Sequence, residues 1–158
     1  MKILLDFDGV MITTPTWRAV ASLEDGFMAF NESCVENLAR VLAITQADIV
    51  LTTTHRIHYS ETQWLQLLHN RGIMTNKITK VNQAKTFAEL SIRHTEVLQW
   101  VNANPNETYV IIDDDKSLRE LPLEIKSRWV ETDFYAGFTM LDSERAVDIL
   151  LSTAKNNT

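Results

Sequence analysis

Apolar residues fall into two kinds of run along this chain. The first kind is short and continuous: Lys2–Leu5 (KILL), Ala47–Thr54 (ADIVLTTT) and Thr108–Asp115 (TYVIIDDD), with shorter candidates at Lys77–Val81 and Ser127–Thr132. Continuous runs of this length predict strands covered on both faces, as in a parallel sheet. The second kind is periodic. Ser33 with Glu36 predicts a capping box before VENLARVLA, and Ser60 with Gln63 predicts another before WLQLLHNRG, with Gly72 just beyond the helix end. Thr95 is the candidate cap of EVLQWVNAN, which Pro105 ends, and Asp142 is the candidate cap of SERAVDILLSTA. Trp64 and Trp100 fall on apolar helix faces and are expected in the core. Strands alternating with helices predict an α/β domain with a mainly parallel sheet over residues 1–152, followed by a frayed tail over 153–158.

Three of the predicted strands end in polar residues: Asp6 and Asp8, Thr52 to Thr54, and Asp113 to Asp115. In open α/β sheets ligands sit beyond the carboxyl ends of the strands, so these groups are expected to converge at one edge. The chain has 158 residues, 45% of them hydrophobic, enough for a sizeable core. Its net charge of −6 argues against broad, charge-driven binding to nucleic acid or to an anionic membrane. No apolar stretch approaches a membrane span, and Asp6 and Asp8 interrupt the run that a signal peptide would need. With Cys34 the single cysteine, no internal disulfide is possible, and a cytoplasmic setting is expected.

Clustered carboxylates repel unless protons or a cation neutralise them. A hard divalent cation such as Mg²⁺ takes oxygen ligands and commonly uses one or two carboxylates together with substrate phosphate. The hydroxyls of Thr53 and Thr54 are suited to hydrogen-bond phosphate oxygens, and Arg93 or Lys85 to balance their charge. One free carboxylate can act as a nucleophile and form an aspartyl-phosphate, while a second protonates the leaving oxygen and later deprotonates water. Two acids with divided roles account for the Asp-x-Asp spacing, and Gly9 lets the backbone turn sharply beside the ligand. His55 and His58 lack a nearby third ligand for zinc and are expected on the surface, and Asp115 is expected in solvent or as a helix cap.

These motifs resemble the haloacid-dehalogenase-like (HAD) superfamily of phosphohydrolases. DFDGV is similar to its first motif, LTTTHR to its second, and VIIDDD to its fourth. The hydroxyl-x-Arg arrangement of Thr54-His55-Arg56, Arg93 before a Trp-containing helix, and the late segment TDFYAGFTMLD most resemble the HAD domains of RNA-repair-type, Swiss-army-knife proteins, over residues 2 to 150 or so. The resemblance implies a HAD-like Rossmannoid three-layer α/β/α domain and Mg²⁺-dependent hydrolysis of a phosphomonoester. It implies Asp6 as nucleophile and metal ligand, and Asp8 as general acid/base with its backbone carbonyl on the metal. Asp113 or Asp114 would complete the metal site, and Thr54, with Thr53 as rival, would bind the phosphoryl group. Arg93 falls where the superfamily usually has lysine, with Lys77, Lys80 and Lys85 as alternatives.

The segment Met11–Ser33 holds at most a loop and a brief helix, so little or no cap is expected. Trp17 and Phe27 within it are candidates for the mouth of the site. An open site suits nucleotides, nucleic-acid ends or other bulky phosphorylated substrates. The alternative function is a HAD-like binding or regulatory domain without turnover.

Overall fold

The computed structural model describes residues 1–15 and 17–156, the side chains of 153–156 excepted. Five strands form one all-parallel sheet: β1 (Lys2–Leu5), β2 (Asp48–Leu51), β3 (Ile78–Lys80), β4 (Tyr109–Asp113) and β5 (Trp129–Glu131). Their spatial order is β3-β2-β1-β4-β5. The chain therefore builds outward from β1 on one side, then crosses to the other side of β1 with β4. The carboxyl ends of β1 and β4 flank this reversal, where a crevice opens in such sheets.

Alternation along the buried strands sorts the core into two layers. Ile3, Leu5, Ile49, Leu51, Val110 and Ile112 face one way, against α1 (Glu32–Thr45), α2 (Glu61–Asn70) and α5 (Met140–Asn156). Leu4, Val50, Tyr109 and Ile111 face the other way, against α3 (Arg93–Ala103) and the short α4 (Leu123–Lys126). The result is the three-layer α/β/α arrangement expected from the sequence. Trp64 and Trp100 are core residues of the two layers, as expected.

The capping box of Ser60 and Gln63 is present in both directions, and Gly72 adopts φ +83° directly after the α2 C-cap. Three other caps differ from expectation. Helix α1 begins earlier than Ser33, and Asn31 caps it by accepting the Ser33 and Cys34 amides at 3.0 and 3.3 Å. Helix α3 begins at Arg93 rather than after Thr95. Its first turn is satisfied by tertiary partners: the Ser117 hydroxyl accepts the His94 amide at 3.2 Å. Thr139 precedes α5 and exchanges bonds with Asp142, whose carboxylate accepts the Thr139 amide at 2.9 Å, so Asp142 sits inside the first turn.

Two predicted strands end earlier than expected. Thr52 to Thr54 leave β2 because Arg56 draws the Thr52 and Thr53 carbonyls together at 3.0 and 2.9 Å, which starts a 3-10 turn over Thr54–Ile57. β4 stops at Asp113, and Asp115 caps the next 3-10 turn, Lys116–Glu120, by accepting the Ser117 amide at 2.8 Å. The segment between β1 and α1 contains no helix among its described residues. Helix α5 runs to Asn156, so the tail expected over 153–158 falls partly on helical backbone and partly on 157–158, outside the described residues.

Candidate active site

The site starts from the turn after β1. The amides of Val10, Met11 and Ile12 all donate to the Phe7 carbonyl, at 3.1, 2.8 and 2.9 Å, which folds the chain back on itself. Gly9 enables this reversal with φ +73°. A side chain there would strike the Asp114 carboxylate and come within 2.9 Å of the Phe134 ring. The late segment braces the same turn. The Thr132 hydroxyl donates to the Gly9 carbonyl at 2.8 Å, and the Phe138 amide donates to the Val10 carbonyl at 2.9 Å.

This geometry brings together Asp6, Asp113 and Asp114, with one oxygen of each lying within 4.8 Å of the others. Arg93, from the first turn of α3, enters between them. It pairs with Asp113, reaches Asp6 Oδ1 at 3.4 Å, and donates to the Thr52 hydroxyl at 3.2 Å. Asp6, Arg93 and Asp113 are all buried. Of the alternative lysines, Lys77 precedes β3 at the opposite end of the strands and Lys85 is exposed. Lys80 Nζ is engaged by the Tyr59 carbonyl at 2.8 Å.

Electrostatics make this cluster a poor place for three negative charges. Burial, then the proximity of Asp6, pushes Asp113 up to about 8 against the pull of Arg93. Asp114 is pushed up to about 6 by the same two causes in the same order. Burial also raises Asp6, opposed by Arg93. Burial works against the charge of Arg93, yet Asp6 and Asp113 hold its pKa above the ordinary arginine range. One guanidinium cannot balance three carboxylates. An all-oxygen donor set that retains protons until a further cation arrives fits a hard divalent ion.

Asp8 stands apart from this cluster. Its side chain is 49% exposed, and its Oδ2 lies 2.9 Å from His55 Nε2. Thr54 is exposed beside it, whereas Thr53 is buried, its hydroxyl accepting the His55 amide at 3.3 Å. Asp8, Thr54 and His55 share an open cleft of about 470 Å³ with Ile12, Arg18 and Phe134. Three expectations are corrected in this region. Phe27 is not at the mouth: it is buried, 5.0 Å from the Trp64 ring and 6.0 Å from the Phe7 ring. Trp17 is exposed and does not line the cleft, where its neighbour Arg18 does. His58 is on the surface as expected, but His55 is not a free surface histidine. Sequence carried no signal for its contact, because Asp8 and His55 meet only once β1 and β2 pair.

A family model described as the HAD domain in Swiss Army Knife RNA repair proteins matches residues 2–142. The chain belongs to this family. No curated protein and no solved structure matches the chain significantly.

Behind the HAD motifs lies a buried network that sequence reading assigned no role. Arg56, with no exposed surface, donates to Glu96 Oε1 at 2.5 Å and to Asn82 Oδ1 at 3.0 Å, besides the two threonine carbonyls. Glu96 also accepts the Ser91 amide at 3.2 Å. The ion pair thus ties the Thr52–Thr54 loop to the start of α3, which carries Arg93. Two of the elements that flank the acids are fixed relative to each other by one buried contact.

Proposed function

We propose that this HAD domain is a Mg²⁺-dependent phosphomonoester hydrolase that works through an aspartyl-phosphate on Asp6. The observation that carries the reading is the convergence of Asp6, Asp113 and Asp114 on Arg93 at the point where strand order reverses. Asp6, Asp113 and Asp114, with the backbone carbonyl of Asp8, would hold the ion. When bound, Mg²⁺ supplies charge neutralisation for the phosphoryl oxygens.

The chain's own groups have separable tasks. Asp6 Oδ attacks phosphorus in line with the leaving oxygen. Arg93 stabilises the equatorial oxygens with fixed donors that need no reorganisation. The Thr54 hydroxyl, on the exposed side of its turn, donates to the same oxygens, while buried Thr53 contributes by shaping the loop. Asp8 lies close enough to the cleft to protonate the leaving oxygen, then to take a proton from the water that hydrolyses the intermediate.

The cleft supports a substrate with a sizeable leaving group, because Phe134 and Ile12 offer an apolar wall and Arg18 a cation at its rim. Nucleotides and nucleic-acid ends are the substrates that fit this wall and the family description best.

The test is phosphate release with Mg²⁺ across mononucleotides, sugar phosphates and oligonucleotides bearing 3′- or 5′-phosphates. Asp6→Asn removes the nucleophile and is expected to lower kcat by roughly a thousandfold or more. EDTA is expected to abolish turnover reversibly. Retained turnover in Asp6→Asn would rule out the covalent route.

A further inference from the structure

We propose that His55 is a positioning residue for Asp8, holding one carboxylate oxygen so that the other faces the leaving group. This role rests on the phosphatase reading above.

Asp8 emerges from a turn with its side chain 49% exposed, where a carboxylate ordinarily samples several rotamers. Among the described residues its carboxylate has one hydrogen-bond partner, His55 Nε2, at 2.9 Å from Oδ2. His55 is itself held in place. Its backbone amide donates to the Thr53 hydroxyl at 3.3 Å, and its ring meets Phe27 edge-on at 5.5 Å and His58 at 6.0 Å. Phe27 is anchored in turn by Trp64 at 5.0 Å and by the Arg71 guanidinium 5.4 Å from its ring centre. A chain of packed groups therefore runs from the core to Oδ2.

The consequence is a fixed division between the two oxygens of Asp8. As Asp6 forms its bond to phosphorus, the bond from phosphorus to the leaving oxygen breaks, and that oxygen takes a proton from Asp8 Oδ1. Water then attacks phosphorus and returns a proton to Oδ1. The bond to Asp6 breaks, and its electron pair restores the Asp6 carboxylate. In the Nε2–H tautomer of His55, Oδ2 accepts that bond in both halves, so Asp8 keeps one orientation throughout. Misplacing a reacting group by about an ångström can cost on the order of a hundredfold.

Leaving groups provide the test. An alkyl phosphate needs a proton on its departing oxygen, whereas 4-nitrophenyl phosphate releases a stable anion without one. His55→Ala is expected to lower kcat on an alkyl phosphate by roughly 10- to 100-fold, with KM changed by less than about threefold. The rapid nitrophenolate burst should stay within about threefold of wild type. His55→Gln, whose amide nitrogen can reach Oδ2, should recover most of the rate. His55→Phe keeps the ring contact with Phe27 and should behave as the alanine variant does, which covers the case in which alanine prevents folding. In an Asp8→Asn background, His55→Ala should add no further loss.

A nitrophenolate burst slowed as much as kcat on the alkyl phosphate, a loss carried by KM, or a full additional loss in Asp8→Asn would overturn the role. So would an active wild type whose His55 variants keep full rate on alkyl phosphates. A wild type that turns over neither substrate would instead overturn the phosphatase reading, and this role with it.

Discussion

Gly9 shows how tightly single residues are specified at this site. The position requires a left-handed backbone, with φ +73°, and leaves no room for a β-carbon beside Asp114. The residue was legible in the sequence as a turn after a strand; its contact with Asp114 was not, because the two follow different strands. Gly9→Ala is expected to destabilise the fold by about 1–2 kcal/mol through the backbone alone. Displacement of Asp114 should reduce activity much further than that loss of stability explains. Thermal unfolding measured beside kcat checks this: a variant of near-normal activity would show that Asp114 need not stay where it is. Asp8 and His55 give the opposite case. Asp8 was evident from its spacing to Asp6, while His55 read as a surface residue because nothing local distinguishes it.

Among the elements, the loop between β1 and α1 is held chiefly by Arg71, the C-cap of α2, with Asn70 donating to Asp25 at 3.3 Å beside it. Arg71 pairs with Asp25 at 2.6 Å and donates to the Phe27, Met28 and Leu67 carbonyls at 3.0, 2.9 and 2.8 Å. Both partners are largely shielded, with side-chain exposure of 2% for Arg71 and 15% for Asp25. Arg71→Met leaves these acceptors and Asp25 without their cation and is expected to cost about 3 kcal/mol, read by urea unfolding. The acid limb of stability should change as well. The hydrogen bond from Arg71 holds Asp25 down at about 2, below its ordinary value of 3.8. Its contribution is therefore present above about pH 4 and lost as pH falls toward 2, and that loss should be smaller in Arg71→Met. An unchanged acid profile would mean that Asp25 is not governed by Arg71. The helix caps show the same dependence on tertiary partners: Ser60 was legible because its partner Gln63 lies in the same turn, whereas α3 starts on a hydroxyl from another segment.

For the whole molecule, the proposed metal role of the acidic cluster would couple metal, protons and folding. Asp113 and Asp114 are raised to about 8 and about 6, from an ordinary 3.8, by burial and then by Asp6. Their folded values lie above their unfolded ones, so the metal-free native state retains protons that the unfolded chain has released. The contribution of these two groups to stability is full below about pH 4 and falls as pH rises through 6 and 8. On the proposed reading, a divalent ion would compete with those protons and bind only the folded site. Mg²⁺ is therefore expected to raise Tm more at about pH 8 than at about pH 5, and Asp113→Asn should shrink the difference. Equal gains at both pH values would separate the cluster from metal binding. No helix among the described residues is long and apolar enough to cross a membrane.

The sequence by itself determined the layered α/β class, the order of the strands along the chain, and the acids, hydroxyls and glycine at their ends. It did so because burial on two faces, helical periodicity and turn chemistry are written in adjacent residues. Tertiary structure alone decided which strands became neighbours. It thereby decided that Arg93 meets Asp6 and Asp113, that Arg56 locks the threonine loop to α3 through Glu96, and that Asp8 faces His55. These contacts join residues 87, 20, 40 and 47 positions apart. Charge pairing at such separations leaves no local pattern; it exists only after the sheet has brought the strand ends to one edge.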